Sequence, residues 1–81
     1  MKSATGEGVV SITPSDSTNI AVKDQRFPRS LYVGGAGNVS IVCPDDSTAV
    51  FSNVAAGTFI PVDVKRVNNT NTTATLLIGI Y

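Results

Sequence analysis

Few side chains in this sequence have the chemistry needed for catalysis. The 81-residue chain has no histidine, a single cysteine (Cys43) and six acidic residues. A cysteine nucleophile needs a base beside it, and histidine, the usual one, is missing. Because Cys43 continues an apolar alternation with Val39 and Ile41, we expect it to be a small buried residue. The sequence predicts no enzyme, no catalytic residue and no cofactor.

Two loops are similar to ligand-binding motifs but lack the residues that would complete them. The run 34–37 reads GGAG, yet neither a Lys-Ser/Thr pair nor a helical pattern follows it, as a phosphate-binding loop requires. A tight hairpin turn is the better interpretation. Asp45 and Asp46 follow Pro44, but the ligand spacing of a calcium loop is absent. No metal site is predicted within the chain, and weak cation binding between subunits stays open.

Four basic side chains are candidates for a contact with another subunit. If Arg26, Arg29, Lys65 and Arg66 converge, they can form a salt-bridged subunit contact, because the arginine guanidinium is a rigid fork of donors. The alternative is a set of solvated charges at the rim of the domain. The formal net charge is zero, so the basic excess of a nucleic-acid-binding protein is missing. No nucleic acid is expected as a partner.

The elements that must position these side chains are short strands. Valine, isoleucine and threonine suit a pleated surface, and no window shows a sustained helical period. The predicted strands span 18–22, 30–33, 38–43, 47–52, 59–64 and 74–81. The fold class is therefore all-β, a small antiparallel barrel or sandwich of about six strands. Residues 1–17 are predicted to be an arm or edge segment, and residues 18–81 a single β domain.

The last predicted strand offers an apolar surface for self-association. Alternation places Leu76, Ile78 and Ile80 in the core, so that Leu77 and Tyr81 face outward and can contact a second subunit. A chain of this length buries only about 60% of its unfolded surface. One cysteine and no histidine exclude an internal disulfide and a Cys/His zinc site. We therefore expect a homo-oligomer.

The sequence shows no pattern typical of a signal peptide or a membrane span. No signal peptide follows Met1-Lys2, since the apolar stretch of about 7–15 residues is missing. No segment approaches the roughly 20 apolar residues that span a bilayer. We expect a soluble protein, synthesised in the cytoplasm, with no membrane partner.

Most of the chain resembles a family of small phage-type virion proteins. The matching features are TPSD at 13–16, LYVGGAG at 31–37, the segment 54–67 with AGT and PV, and the Thr-rich turn and final strand at 72–81. The resemblance is to the head spike-base proteins of gene transfer agents and their relatives in tailed phages. It implies a subunit synthesised in the bacterial host cytoplasm and attached to the capsid surface of the virion, as a spike base or a decoration protein. The family has no catalytic motif to transfer.

The partners that this resemblance implies are copies of the chain itself, the major capsid protein and a spike or fibre protein. Two other functions stay open, a receptor- or carbohydrate-binding module of a virion fibre and a structural component of the neck or tail. A glycan-binding module would present two or three aromatic rings side by side with Asn, Asp or Gln. The oligomer symmetry and the position on the particle are left open.

Overall fold

The computed structural model describes residues 8–81, which form seven strands. The strands are β1 (Val9–Ile12), β2 (Ser30–Gly35), β3 (Gly37–Val42), β4 (Thr48–Val54), β5 (Thr58–Ile60), β6 (Arg66–Asn68) and β7 (Thr75–Ile80). Within this part of the chain there is no helix long and apolar enough to cross a membrane. The all-β prediction is confirmed.

The strands form two antiparallel sheets, one ordered β1-β7-β2-β5 and the other β4-β3-β6. The inner side chains of both sheets and of the loops beside them form one core. Its buried members are Leu31, Val33, Val39, Ile41, Ile60, Val64, Val67, Ala74 and Leu77. Most of them are branched aliphatic residues at alternating strand positions. In β3 the residues between them, Ser40 and Val42, are buried as well, so this central strand is covered on both faces.

The turn at 34–37 is not the hairpin that the sequence predicted. Strands β2 and β3 belong to different sheets, so the chain passes from one sheet to the other at this point. Gly37 has a φ of 155°, and a Cβ there would lie 2.5 Å from the Ala74 nitrogen. The amides of Thr73 and Ala74 both donate to the Asn38 carbonyl. Gly37 is needed because two backbone segments meet closely at this corner.

The predicted strand at 18–22 is also wrong. The segment runs past β6 with isolated backbone hydrogen bonds, from the Ser15 amide to the Val67 carbonyl (2.8 Å) and from the Ile20 amide to the Lys65 carbonyl (2.9 Å). Two bonds five residues apart do not make a continuous ladder. Strand β1 lies at the edge of the four-stranded sheet, beside β7. Residues 1–7 of the predicted arm lie outside the described residues.

The strands predicted at 38–43 and 47–52 are close to β3 and β4, which form an antiparallel hairpin. The Cys43 amide donates to the Ser47 carbonyl at 2.8 Å, and the Asp46 amide donates to the Cys43 carbonyl at 2.8 Å. The Asp45 carboxylate accepts from the amide and the hydroxyl of Ser47, and these bonds lower the pKa of Asp45. Cys43 is partly buried and packs against the core. The adjacent carboxylates therefore shape a turn.

The strand predicted at 59–64 is shorter in the structure, but the segment keeps an alternation of buried and exposed residues. Ile60, Val62 and Val64 contribute to the core, whereas Phe59 on the opposite face is exposed. Strand β5 ends at Ile60, directly before Pro61, and is an edge strand of its sheet. Proline lacks the amide that would continue the ladder. The proline therefore coincides with the end of an edge strand.

Candidate interaction surface

The structure reverses the two faces predicted for the last strand. Leu77 is 3% exposed and Tyr81 is 2% exposed, whereas Leu76 is 74% exposed. Leu77 pairs across the sheet with Val33, a core residue. Gly79 is buried on the same side, where an added Cβ would lie 2.9 Å from the Pro28 ring. The sequence interpretation went wrong because a buried glycine leaves a gap in the apolar pattern of the inner face.

Tyr81 binds other segments of its own chain. Its hydroxyl donates to the Ala21 carbonyl at 2.5 Å, and its amide donates to the Gly8 carbonyl at 2.9 Å. The Lys23 ammonium lies 4.9 Å from the centre of its ring. Burial raises the pKa of the Tyr81 hydroxyl. Tyr81 therefore holds the 18–26 loop against the domain and offers no outward surface.

Two of the four basic candidates share one groove. Arg26 and Arg29 line an open groove together with Asp24 and Asp63. The groove is thus lined by charges of both signs. Lys65 is not part of its lining.

The other two basic side chains have partners within the chain. Lys65 forms an ion pair with Asp46. Arg66 donates from Nε to the Asn68 side chain at 3.0 Å and from Nη1 to the Asn19 side chain at 3.3 Å. The four residues therefore do not form one cluster around this groove, and their role in a subunit contact stays a prediction.

The outer face of the four-stranded sheet carries apolar side chains. We call this the apolar sheet face, and its members are Val9, Tyr32, Phe59, Leu76, Ile78 and Ile80. Tyr32 pairs with Phe59 on one side and with Ile78 on the other, and Val9 pairs with Ile80. Leu76 borders the same groove as Tyr32 and Ile78. None of these residues carries a charge. This face was not predicted, because the alternation in the sequence placed Leu76, Ile78 and Ile80 in the core.

An aromatic pair lies at one side of this face. The rings of Tyr32 and Phe59 are 5.0 Å apart between centroids and inclined by 59°, a tilted arrangement that aromatic pairs favour. Phe59 is 59% exposed. The next cross-strand residues are Ile78 and Ser11, so this row lacks the amide or carboxylate groups of a glycan platform. The face is suited to burial against another apolar surface.

Leu76 is presented to solvent by an unusual backbone. Its φ is 55°, a left-handed conformation that is rare for a leucine. A Cβ on Gly34 would lie 2.8 Å from the Cβ and the carbonyl oxygen of Leu76. Only glycine at position 34 leaves room for this arrangement. Strained backbone kept together with an exposed apolar side chain points to a binding role.

The described residues hold no cluster of three or more acidic, cysteine or histidine side chains that could bind a metal ion.

No model of a known protein family matches the chain, and no curated protein sequence matches it. A solved chain described as "Capsid of native GTA particle computed with C5 symmetry" is 37% identical. It covers 94% of this chain and 83% of its own length, with a TM-score of 0.79. GTA denotes a gene transfer agent.

The chain belongs to the family of this gene-transfer-agent capsid chain. In this family member, the TPSD run at 13–16 fastens the N-terminal segment to the loop after β6. The Asp16 carboxylate accepts from the Thr70 amide at 2.9 Å and from the Thr70 hydroxyl at 2.7 Å. These bonds lower the pKa of Asp16. The Ser15 hydroxyl accepts from the amides of Ser17 and Thr18, which shapes the turn that follows.

Proposed function

We propose that this protein is a structural subunit on the capsid surface of a phage-like particle, where it is a decoration or spike-base protein. The single observation that carries the proposal is the match to the gene-transfer-agent capsid chain, at 37% identity over 94% of the chain. The proposed partners are the major capsid protein, further copies of the chain and, for a spike base, a spike or fibre protein. In this role the protein binds other proteins and catalyses no reaction.

The apolar sheet face supports this proposal as the surface that attaches to the shell. Burying apolar surface contributes about 25 cal/mol per Å², and aromatic residues at the centre of an interface often supply most of the affinity. Leu76 and Phe59 are 74% and 59% exposed and, with Val9, are the most exposed large apolar side chains on this face. They are therefore the residues whose substitution should weaken attachment most.

Co-sedimentation with capsids tests the proposal. Particles produced without this protein are mixed with the purified chain, and the pelleted fraction is measured over a concentration series. We expect saturable binding of the wild type and at least tenfold weaker binding of a Phe59→Asp, Leu76→Asp double variant. Val22→Asp is the matched control, because Val22 is exposed but lies in the 18–26 loop. No wild-type binding at any concentration would contradict the proposed function.

Imaging of intact particles distinguishes the finer roles. A spike base is expected to lie beneath a projecting density, whereas a decoration protein has none above it. Density for this chain at the neck or tail would favour the neck or tail alternative and contradict attachment to the shell surface. The measurement is a reconstruction in which the seven strands can be traced.

A further inference from the structure

Two sheets with open edges leave four edge strands, and three of them are protected. Strand β6 is covered by the segment 15–20, whose amides bond to the Val67 and Lys65 carbonyls. Strand β1 has four residues, and the Lys23 ammonium donates to its Val9 carbonyl at 3.2 Å. Strand β5 has three residues and ends before Pro61. Short length, a lysine and a proline are the usual means by which natural edge strands avoid pairing with other chains.

Strand β4 has none of these protections. It has seven residues, Thr48–Val54, with the sequence TAVFSNV, and includes no charge and no proline. Strand β3 is its only neighbour among the described strands. All of its residues except Phe51 and Val54 are exposed. An uncharged, exposed edge of this length is a template for pairing with another strand.

The free hydrogen-bonding groups of β4 follow from the hairpin geometry. Because the Cys43 amide bonds to the Ser47 carbonyl, antiparallel alternation directs the amide and carbonyl of Ala49 toward its partner Ile41. The same groups of Thr48 and Val50 then point away from β3. An incoming strand would bond to these two residues and, by the same alternation, to Ser52.

We propose that β4 pairs antiparallel with β4 of a second copy of this chain, around a twofold axis at Val50. A second copy fits this edge because the strand is complementary to itself. In this register Ala49 lies opposite Phe51 of the second copy, a small side chain facing a large one, and Thr48 lies opposite Ser52. No charges are opposed, and cross-strand pairs of this kind stabilise sheets. Pairing joins the two three-stranded sheets into one of six strands.

Only the biological role of this pairing, which is to join copies of the chain on a shell, rests on the proposed function. The apolar sheet face belongs to the other sheet, so pairing through β4 leaves that face available. The bulge between β3 and β4 and the φ of 55° at Asn53 end the regular edge after Ser52. The pairing is therefore limited to about five residues on each strand.

Disulfide trapping tests the register. Val50→Cys is made in a Cys43→Ala background, so that position 50 carries the one thiol. Directly opposed hydrogen-bonded residues have Cα atoms about 5.5 Å apart, which fits a disulfide. We expect Val50→Cys to form a covalent dimer at least tenfold faster than Leu76→Cys in the same background, because Leu76 is highly exposed but lies on the other sheet. Equal rates would overturn the proposal.

Sedimentation equilibrium of the full chain gives a second, non-covalent test. Val50→Lys places two ammonium groups opposite each other at the axis, so we expect its dimer dissociation constant to rise at least tenfold, with Leu76→Lys unchanged. Circular dichroism and the thermal midpoint verify that both variants fold. A wild type that stays monomeric at millimolar concentration, or a Val50→Lys variant that associates like the wild type, would overturn the proposal.

Capsid co-sedimentation of the same variants separates this inference from the proposed function. Wild-type binding to capsids without β4 pairing would overturn the inference alone. Pairing in solution without capsid binding would leave the inference standing and contradict the proposed function.

Discussion

At the scale of single residues, Tyr81 is the clearest case of a side chain whose structural role differs from the one its position suggested. An aromatic residue at the end of a strand reads as an exposed contact, yet here it is buried and fastens two other segments. Its hydroxyl and ring contact Ala21 and Lys23 of the 18–26 loop, and its amide donates to the Gly8 carbonyl. The loop at 18–26 lacks regular secondary structure of its own apart from one bridge, so it depends on such contacts.

Tyr81→Phe removes one hydrogen bond and keeps the ring. We expect the free energy of unfolding to fall by about 1 kcal/mol, because the Ala21 carbonyl loses its donor while packing is retained. Urea denaturation measures the change. The wild-type pKa of Tyr81 is raised above its ordinary value of 10.0, so its stabilising effect is present below about pH 10 and is lost as the pH rises through the raised pKa. The difference between the two proteins should therefore shrink at high pH; a constant difference would contradict this.

Two glycines with positive φ separate conformational strain from steric overlap. At Gly57, with a φ of 86°, an added Cβ meets nothing within 4 Å, so Gly57→Ala should cost about 1 kcal/mol from backbone strain alone. At Gly37 the Cβ would overlap the backbone of Ala74, so Gly37→Ala should cost about 3 kcal/mol. Denaturant unfolding of both variants measures the difference. Equal costs would show that the corner between the sheets can relax.

At the scale of elements, the sequence predicted a strand well wherever alternating apolar residues were bounded by turn residues. The strands predicted at 38–43 and 47–52 lie close to β3 and β4, and the segment predicted at 59–64 contributes Ile60, Val62 and Val64 to the core. The misses have physical causes. In β7, Gly79 interrupts the apolar pattern of the inner face, so the sequence did not indicate which face is buried. At 34–37 the glycines allow the chain to pass from one sheet to the other, where a hairpin was expected.

The candidate surface was less predictable than the fold. Strand β2 pairs with both β5 and β7, and this pairing makes Tyr32, Phe59 and Ile78 neighbours. No local sequence pattern indicates that strand order. The same holds for the exposed edge of β4, since one strand alone does not show which of its sides will be covered. The basic residues Lys65 and Arg66 have partners in distant parts of the chain.

Asp16 is the link between the N-terminal segment and the loop after β6. Asp16→Ala removes both hydrogen bonds to Thr70, so we expect faster amide hydrogen exchange at residues 15–20, with little change in β3. The pKa of Asp16 is lowered from its ordinary value of 3.8. The ionised Asp16 carboxylate therefore stabilises the fold above about pH 4, and this stabilisation is lost as the pH falls through the lowered pKa.

Asp45→Ala is the matched control for Asp16→Ala, because that carboxylate accepts a similar pair of hydrogen bonds within the β3–β4 turn. We expect its effect on hydrogen exchange to stay near the turn. If Asp45→Ala also accelerated exchange at residues 15–20, the effect of Asp16 could not be assigned to its bond with Thr70.

At the scale of the whole molecule, the hydrophobic core is small. Nine buried residues form the main hydrophobic cluster, and the two sheets leave one apolar face and one unprotected edge outside it. These two surfaces lie on different sheets. If the face attaches to a shell and the edge joins copies, attachment and self-association are separable properties. The Phe59→Asp, Leu76→Asp variant should then weaken attachment alone, and Val50→Lys should weaken self-association alone.

Truncation at the N-terminus tests how far the folded unit extends. Removing residues 2–12 deletes β1, which pairs with β7 over four residues and contributes Ile12 to the packing around the core. We expect a loss of about 2–3 kcal/mol, comparable to deletion of a large buried aliphatic side chain. For a domain of this size the thermal midpoint should then fall by roughly 10–20 °C.

Removing residues 2–7 is the matched control, because it retains all of β1 and the bond from the Tyr81 amide to the Gly8 carbonyl. We expect a smaller fall in its thermal midpoint than removal of residues 2–12 causes, because the pairing of β1 with β7 is kept. Scanning calorimetry on the three chains measures both shifts. Equal midpoints for the two truncations would show that β1 adds little to the stability of the four-stranded sheet, and that the fold is held by β2, β5 and β7 on that side.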